Sequence, residues 1–302
     1  MTKQRVTRAG FVTILGAPNA GKSTLLNQLM GEKLSIVSAK VQTTRMRVLG
    51  VLTEGKVQAC LIDTPGIFTP KDRLNKAMVQ VAWQSLKDAD AVLLIADASA
   101  RQPDIRTDDI VAALRKQKRR AVLVLNKTDK IKPPKLLPLA ERLNETGIFD
   151  ETFMVSALKG DGVPALKKHL LALMPKGPWL FPEDQLTDLP ERLLAAEITR
   201  EQIFRQLYDE LPYAAIVVPE SWEEKKDGSV VIRQTILVTR PNHRAIVLGK
   251  GGAQIKAIGA AARQEMRKAM SHPVHLFLQV KVDERWQEKT EFYRLFGLEA
   301  DG

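Results

Sequence analysis

The sequence predicts a doubly wound, mostly parallel α/β domain followed by a smaller α+β module. Three features predict it. Up to about residue 176, short apolar runs alternate with helical stretches. A Pro- and Gly-containing break, PKGPWLFPED at 175–184, interrupts that alternation. Beyond the break the order becomes helix, two strands joined by a turn, two helices around a glycine-rich turn, and a final strand. The expected boundaries are 1–176 for the first domain, 177–189 for a linker and 190–302 for the second domain with its C-terminal helix.

Phe11–Leu15, Val57–Ile62, Ala91–Ala96, Ala121–Leu125 and Thr152–Val155 are near-continuous apolar runs. Strands buried on both faces of a parallel sheet have this composition. Lys22–Met30, Asp72–Lys87, Asp108–Lys116 and Val163–Leu173 are the helical candidates between them. Thr44–Leu52, joined through Thr53-Glu54-Gly55-Lys56 to Val57–Ile62, reads as a hairpin that adds an antiparallel edge strand. In the second domain the expected order is helix Pro190–Leu211, strand Ala214–Glu224, a turn at Asp227-Gly228, strand Val230–Val238, a short helix, Gly249-Lys250-Gly251-Gly252, a helix, and strand Val274–Val282. That last strand alternates. Val274, Leu276, Leu278, Val280 and Val282 fall on one face, and His275, Phe277, Gln279 and Lys281 on the other. A last helical stretch is expected around 283–296.

With 44% hydrophobic and 27% charged residues, the 302-residue chain has the composition of a globular protein long enough for two cores. The single cysteine, Cys60, excludes an internal disulfide framework and a cysteine-based zinc site; within an apolar run it reads as packing. No 18 apolar residues run consecutively. The basic start and short apolar stretch at the N-terminus lead straight into a glycine-rich loop, so they read as a first strand rather than a signal peptide. The net charge of +11 points to an acidic partner, nucleic acid or an anionic membrane surface. Residues 1–180 hold 29 Lys/Arg against 16 Asp/Glu; residues 181–302 hold 17 against 19, yet 233–281 contain nine cations and only Glu265 as an anion.

Gly16-Ala17-Pro18-Asn19-Ala20-Gly21-Lys22-Ser23, followed by Thr24, fits G-x-x-x-x-G-K-[ST] between a predicted strand and a predicted helix. Backbone N–H groups there wrap phosphates at a helix N-terminus; Lys22 neutralises the β and γ phosphates and Ser23 binds Mg²⁺. Asp63-Thr64-Pro65-Gly66 closes a strand, Asp63 holding the cation and the Gly66 N–H sensing the γ-phosphate. Asn126-Lys127-Thr128-Asp129 closes another. The Asp129 carboxylate accepts two hydrogen bonds from guanine, a donor pair that adenine lacks, and Lys127 lays its stem along the base. Ser156-Ala157-Leu158 supplies a backbone N–H to the guanine carbonyl. Four motifs in this order, each at a strand end, specify a GTP/GDP site. The first switch lies in 33–47, and of Thr43 and Thr44 the second is favoured as the residue binding Mg²⁺ and γ-phosphate, because it directly precedes the hairpin strand.

GAPNAGKS, QTTR, DTPG, NKTD and SALKG, followed by one downstream module with GKGG, resemble the Era family of bacterial GTPases over nearly the whole chain. A single phosphate loop separates the sequence from relatives with two tandem G domains. The resemblance implies a P-loop GTPase domain, a switch that binds small-subunit ribosomal RNA, and a role in maturation of the small ribosomal subunit. It also implies a monomeric cytoplasmic protein with a peripheral fraction on the inner membrane. Ile67 stands where many GTPases place the glutamine that orients the attacking water, so slow intrinsic turnover is expected. Asn19 occupies the loop position at which potassium-using relatives carry Asn. It reads either as a K⁺-holding residue or as an ordinary turn residue.

The order helix–strand–strand–helix–GKGG–helix–strand is that of a type II KH domain, whose GXXG turn clamps a nucleic-acid backbone. Ile255, Ile258, Ala262, Met266 and Ala269 form a buried stripe on the helix after the turn, while Lys256, Arg263 and Arg267 line another. With Arg244, Gly249, Lys250, Gly251 and Gly252 they form the expected RNA-binding set. His243 and His275 read as surface or groove residues, and Phe277 as packing under the C-terminal helix. Two rival readings stand beside the switch: a binding module whose turnover is incidental, and a membrane-surface GTPase using the basic N-terminal half.

Overall fold

The computed structural model describes residues 6–40, 43–70, 72–101, 104–270, 272–295 and 297. They form two compact units, one of residues 6–35 with 44–188, the other of 36–43 with 189–295.

The first unit is built on a six-stranded sheet of β1 (Arg8–Gly16), β2 (Val48–Glu54), β3 (Val57–Asp63), β4 (Ala91–Asp97), β5 (Ala121–Asn126) and β6 (Phe149–Met154), in the order β2-β3-β1-β4-β5-β6. All pairs are parallel except β2 with β3, the expected hairpin. The helices are α1 (Lys22–Met30), α2 (Arg73–Gln84), α3 (Ile105–Lys116), α4 (Leu136–Asn144) and α5 (Val163–Leu173). The Asp72 side chain caps α2 by accepting from the Asn75 N–H at 2.8 Å. The apolar runs that marked β1, β3, β4 and β5 correspond to their near-complete burial. β6 differs: it is an edge strand that exposes Asp150 and Glu151. α4 follows Pro133-Pro134, which start a helical turn because their fixed φ suits it.

Strand register decides where chemistry gathers. Ile14 pairs with Asp63, Gly16 with Ile95, and Asp97 with Asn126. The last residues of four parallel strands, Gly16, Asp63, Asp97 and Asn126, therefore share the carboxyl edge of the sheet, where this architecture binds ligands.

Most of the expected linker, residues 177–188, lies along this unit. Gln58 holds it by donating to the Phe181 carbonyl at 2.9 Å and accepting from the Leu180 and Phe181 N–H groups. The Val51 N–H of β2 donates to the Leu186 carbonyl.

In the second unit β7 (Ala215–Glu224) pairs antiparallel with β8 (Val230–Val238), which pairs parallel with β9 (Val274–Val282). α6 (Glu191–Gln206) and α8 (Ala253–Ala269) pack on the sheet through Leu194, Ile198, Ile203, Ile258, Ala262 and Met266. α7 (Pro241–Leu248) precedes the glycine turn, and α9 (Thr290–Leu295) ends the described chain apart from Gly297. The last expected helix is thus shorter than 283–296, and residue 296 lies outside the described residues. Residues 36–40 and Thr43 fold with this unit. The Val37 N–H donates to Glu201, and buried Arg200 reaches both Glu197 and the Thr43 carbonyl.

Cys60 is 0% exposed, and burial first, then Asp188 and Asp90, pushes its thiol up to about 12. Iodoacetamide at pH 8 should leave the native protein unlabelled and alkylate it in denaturant; rapid native labelling would show that the packed thiol opens to solvent.

Candidate functional site

The loop from Gly16 to Ser23 leaves the end of β1 and enters α1, and so lies at the carboxyl edge of the sheet. Gly21 caps α1 in the left-handed region, at φ 101°. A Cβ there would stand 2.1 Å from Nδ2 of Asn126, so both conformation and space demand glycine. The amide responsible is buried and bonded at both ends: Asn126 Nδ2 donates to the Ala20 carbonyl at 2.8 Å, and its Oδ1 accepts from the Ala157 N–H at 2.9 Å. Asn126 thereby fastens the phosphate loop to the Ser156–Leu158 loop. The sequence placed it in the nucleotide-binding set without indicating this bracing role.

Lys22 is buried, and its ammonium donates to the Gly16 and Ala17 carbonyls at 3.1 and 3.0 Å. Burial pushes it down to about 8, partly offset by the Asp63 carboxylate. Beside it, Ser23 Oγ donates to Asp63 Oδ2 at 2.6 Å and lies 2.8 Å from Thr44 Oγ1. Ser35 Oγ also donates to Asp63 Oδ2, at 3.0 Å. Asp63 is raised above the usual carboxylate range by burial, against the pull of Lys22 and the hydroxyls. Its Oδ1 is buried with no hydrogen-bond partner among the described residues. Three hydroxyls and one carboxylate with an unpartnered oxygen, converging next to a phosphate loop, have the donor chemistry of a Mg²⁺ site completed by phosphate and water.

Thr44, not Thr43, comes to Ser23; the Thr43 hydroxyl instead donates to the Lys40 carbonyl. Thr24 is half-buried on α1, and Pro18 and Asn19 lie at the loop's outer turn, Asn19 in the left-handed region at φ 64°. Thr64 Oγ1 donates to the Ile14 carbonyl, and Pro65 is buried. Gly66 passes so close to Pro18 that an added Cβ would meet its nitrogen at 2.8 Å. The Ile67 N–H donates to the Gly16 carbonyl, but its side chain packs in the core with Leu94 and Leu123. The side chain is thus turned away from chemistry.

At the base end, Ser156 Oγ donates to Asp129 Oδ1 at 2.7 Å, and that bond is the main cause holding Asp129 below the usual carboxylate range. Asp129 is half-buried and ionised, and Thr128 opens the turn that presents it. Lys127, at φ 65°, pairs with Asp97 at 2.6 Å. Asp97 and Ser35 were missed in the sequence. Asp97 carried a signal, since it ends an apolar strand as Asp63 does. Ser35 carried none.

In the second unit, Gly249-Lys250-Gly251-Gly252 joins α7 to α8. Gly249 has φ 72°, and a Cβ would lie 2.8 Å from the Gln254 nitrogen, so the turn is as tight as glycine permits. Lys250, Lys256, Arg263 and Arg267 are exposed; Arg244 is exposed too but donates to the Val280 carbonyl at 3.2 Å. Ile258, Ala262 and Met266 are buried as the stripe required, with Ile255 and Ala269 half-buried. Two expectations are corrected. His243 is 3% exposed, its ring near the Thr239 hydroxyl, because the first turn of α7 faces the core. Phe277 is not covered by the C-terminal helix: it is 53% exposed, with the Arg233 guanidinium 4.9 Å from its ring centroid.

Residues 11–127 match the family described as 50S ribosome-binding GTPase, and residues 210–287 match the KH domain family. The chain is 55% identical to the GTPase Era of Afipia carboxidovorans, covering 97% of this chain and 95% of that protein. It is similar to the crystal structure of a point variant of Aquifex aeolicus Era bound to GDP·AlF₄⁻, with TM-score 0.90 and 41% identity over 96% of this chain and 99% of that one. It is equally similar, with TM-score 0.90 and 42% identity over the same shares, to Era in complex with MgGDPNP and nucleotides 1506–1542 of 16S ribosomal RNA.

A polyphosphate beside Lys22 restores its ammonium. Above pH 8 the free site has released that proton while the loaded site keeps it, so binding must take a proton up. Titration calorimetry of GDP binding in buffers of different ionisation enthalpy should give uptake near zero at pH 7, rising toward one proton per nucleotide at pH 9. Zero uptake throughout would mean that Lys22 is charged in the free site.

The phosphate loop, the hydroxyl–carboxylate cluster, Asp129 and the glycine turn of the second unit lie within a match spanning nearly the full length of a known relative, and the chain belongs to the Era family of GTPases.

Proposed function

We propose that this protein is a GTP-hydrolysing switch that binds small-subunit ribosomal RNA through its KH turn and assists maturation of the small (30S) ribosomal subunit. The observation that carries the reading is how the chain is divided at its nucleotide sensor. Thr44 touches Ser23 at the cation cluster, while the preceding residues 36–40 and Thr43 fold with the KH unit. A residue that responds to the γ-phosphate is thus covalently continuous with a segment belonging to the RNA-binding unit. The solved relative carrying both MgGDPNP and 16S nucleotides supports the pairing of the two ligands.

In the reaction, Lys22 and the loop N–H groups hold the phosphates in place, and the Gly66 N–H faces the transferred group. Asp129 and the Ser156–Leu158 loop select guanine. Ser23, Thr44 and Asp63 would hold Mg²⁺, which would supply charge neutralisation to the phosphates. No side chain at Ile67 orients water, so unassisted turnover is slow. Asn19 would help hold K⁺, and that cation would supply the charge that an arginine finger gives elsewhere. Among the described residues no helix is long and apolar enough to cross a membrane. We place the protein in the cytoplasm, as a monomer, with a peripheral fraction at the inner membrane.

An RNA matching the 3′ end of small-subunit ribosomal RNA should bind more tightly with GDPNP than with GDP. Lys250→Asp should weaken it about tenfold, roughly 1.4 kcal/mol, without changing nucleotide affinity. Equal RNA affinity in both nucleotide states removes the switch and leaves a binding module. Hydrolysis should be faster in KCl than in NaCl at equal ionic strength; equal rates would sink the potassium role of Asn19.

A further inference from the structure

The run Arg115-Lys116-Gln117-Lys118-Arg119-Arg120 places five cations in six residues between α3 and β5, and neither the nucleotide site nor the KH turn uses it. Arg115, Lys116, Lys118 and Arg120 are exposed. The turn is firmly built. Lys118 takes a left-handed conformation at φ 53°, and Arg119 donates to the Leu86 and Ala89 carbonyls at 2.8 and 2.9 Å, tying the run to the end of α2. Between the two lies a groove of about 530 Å³, lined by Gln80, Trp83, Gln84, Lys87, Gln117 and Arg119, with Leu86 at its base. That volume is within the range of small-ligand clefts, about 300–1,000 Å³. Trp83 is half-buried, packed against the core on one side and lining the groove on the other.

No carboxylate lines the groove. Nearby anions are few and partly occupied: Asp90 accepts from the Phe11 N–H, Asp150 pairs with Arg120, and Asp88 is exposed beside Lys87. A packed cationic turn with so little compensation repels itself, and an anionic ligand relieves that repulsion. An indole face flanked by three primary amides suits a stacked base whose edges accept and donate hydrogen bonds. A lipid surface would call for exposed apolar side chains among the cations. The large exposed apolar residues described lie elsewhere, none of them on α2 or in 115–120.

We infer that this groove is a second RNA-binding site, on the GTPase unit itself, which stacks one base of a single strand on Trp83 while Lys87 and the 115–120 run follow its phosphates. The inference is independent of the KH reading, and its test is performed with the KH turn disabled.

The probe is a fluorescent decauridylate, measured by anisotropy with the full chain carrying Lys250→Asp. That protein should retain weak, salt-sensitive binding. Adding Trp83→Ala should lower affinity about tenfold, the loss of one stacked base, and Trp83→Phe should restore most of it. Adding Lys116→Glu and Lys118→Glu, both at exposed positions, should weaken binding and flatten the salt dependence by about 0.7 log units per cation removed. These two changes decide the matter if Trp83→Ala fails to fold. Absence of residual binding, or residual binding indifferent to these substitutions, overturns the inference. So does sedimentation with phosphatidylglycerol vesicles that Lys116→Glu and Lys118→Glu abolish while decauridylate affinity stays unchanged, since the run would then serve a membrane.

Discussion

The nucleotide site rests on one buried amide. Asn126 ends β5 and spends both ends of its side chain on other loops, donating to the Ala20 carbonyl and accepting from the Ala157 N–H. Those bonds make the phosphate loop, the central strands and the base loop a single piece. They also dictate Gly21, because any Cβ would collide with the amide. Truncating Asn126 would leave two backbone groups unpaired, a cost of about 1–3 kcal/mol each in a buried setting. Asn126, the first residue of the NKTD motif, is first of all a brace.

Around that brace the charges sit in mutual tension. Lys22 is pulled below its usual range and Asp63 pushed above it, in both cases first by burial. Ser23, Ser35 and Thr44 soften the strain by bonding the carboxylate or one another. A nucleotide held there with its cation would bring an opposite charge to each partner at once, and so would relieve an electrostatic cost that the fold already carries.

Contiguous motifs were readable because their chemistry is local: a loop between strand and helix, or a polar cluster at the end of an apolar run. The site's assembly was also readable, since parallel strands of a doubly wound sheet bring their carboxyl ends together. What escaped was chemistry made by juxtaposition. Asp97 meets Lys127 only because β4 and β5 are in register, and Ser35 meets Asp63 across 28 residues. Alternation along β9 identified its two faces correctly but gave no account of what lies over the polar one, so Phe277 was expected to be covered and is instead shared with Arg233. The 177–188 stretch has linker composition, but the Gln58 side chain and the Val51 N–H offer partners to its backbone, and composition carries no sign of that.

Those last contacts affect how the molecule behaves among its neighbours. A six-stranded sheet has two open sides, each a template on which another chain can lay a strand. Along β2 the chain uses its own backbone, Val51 to Leu186, as a short cover. Along β6 it uses charge, exposing Asp150 and Glu151 on the border strand. A protein obliged to hold so apolar a set of strands is thereby kept from templating its own aggregation, at one border by a strap and at the other by repulsion.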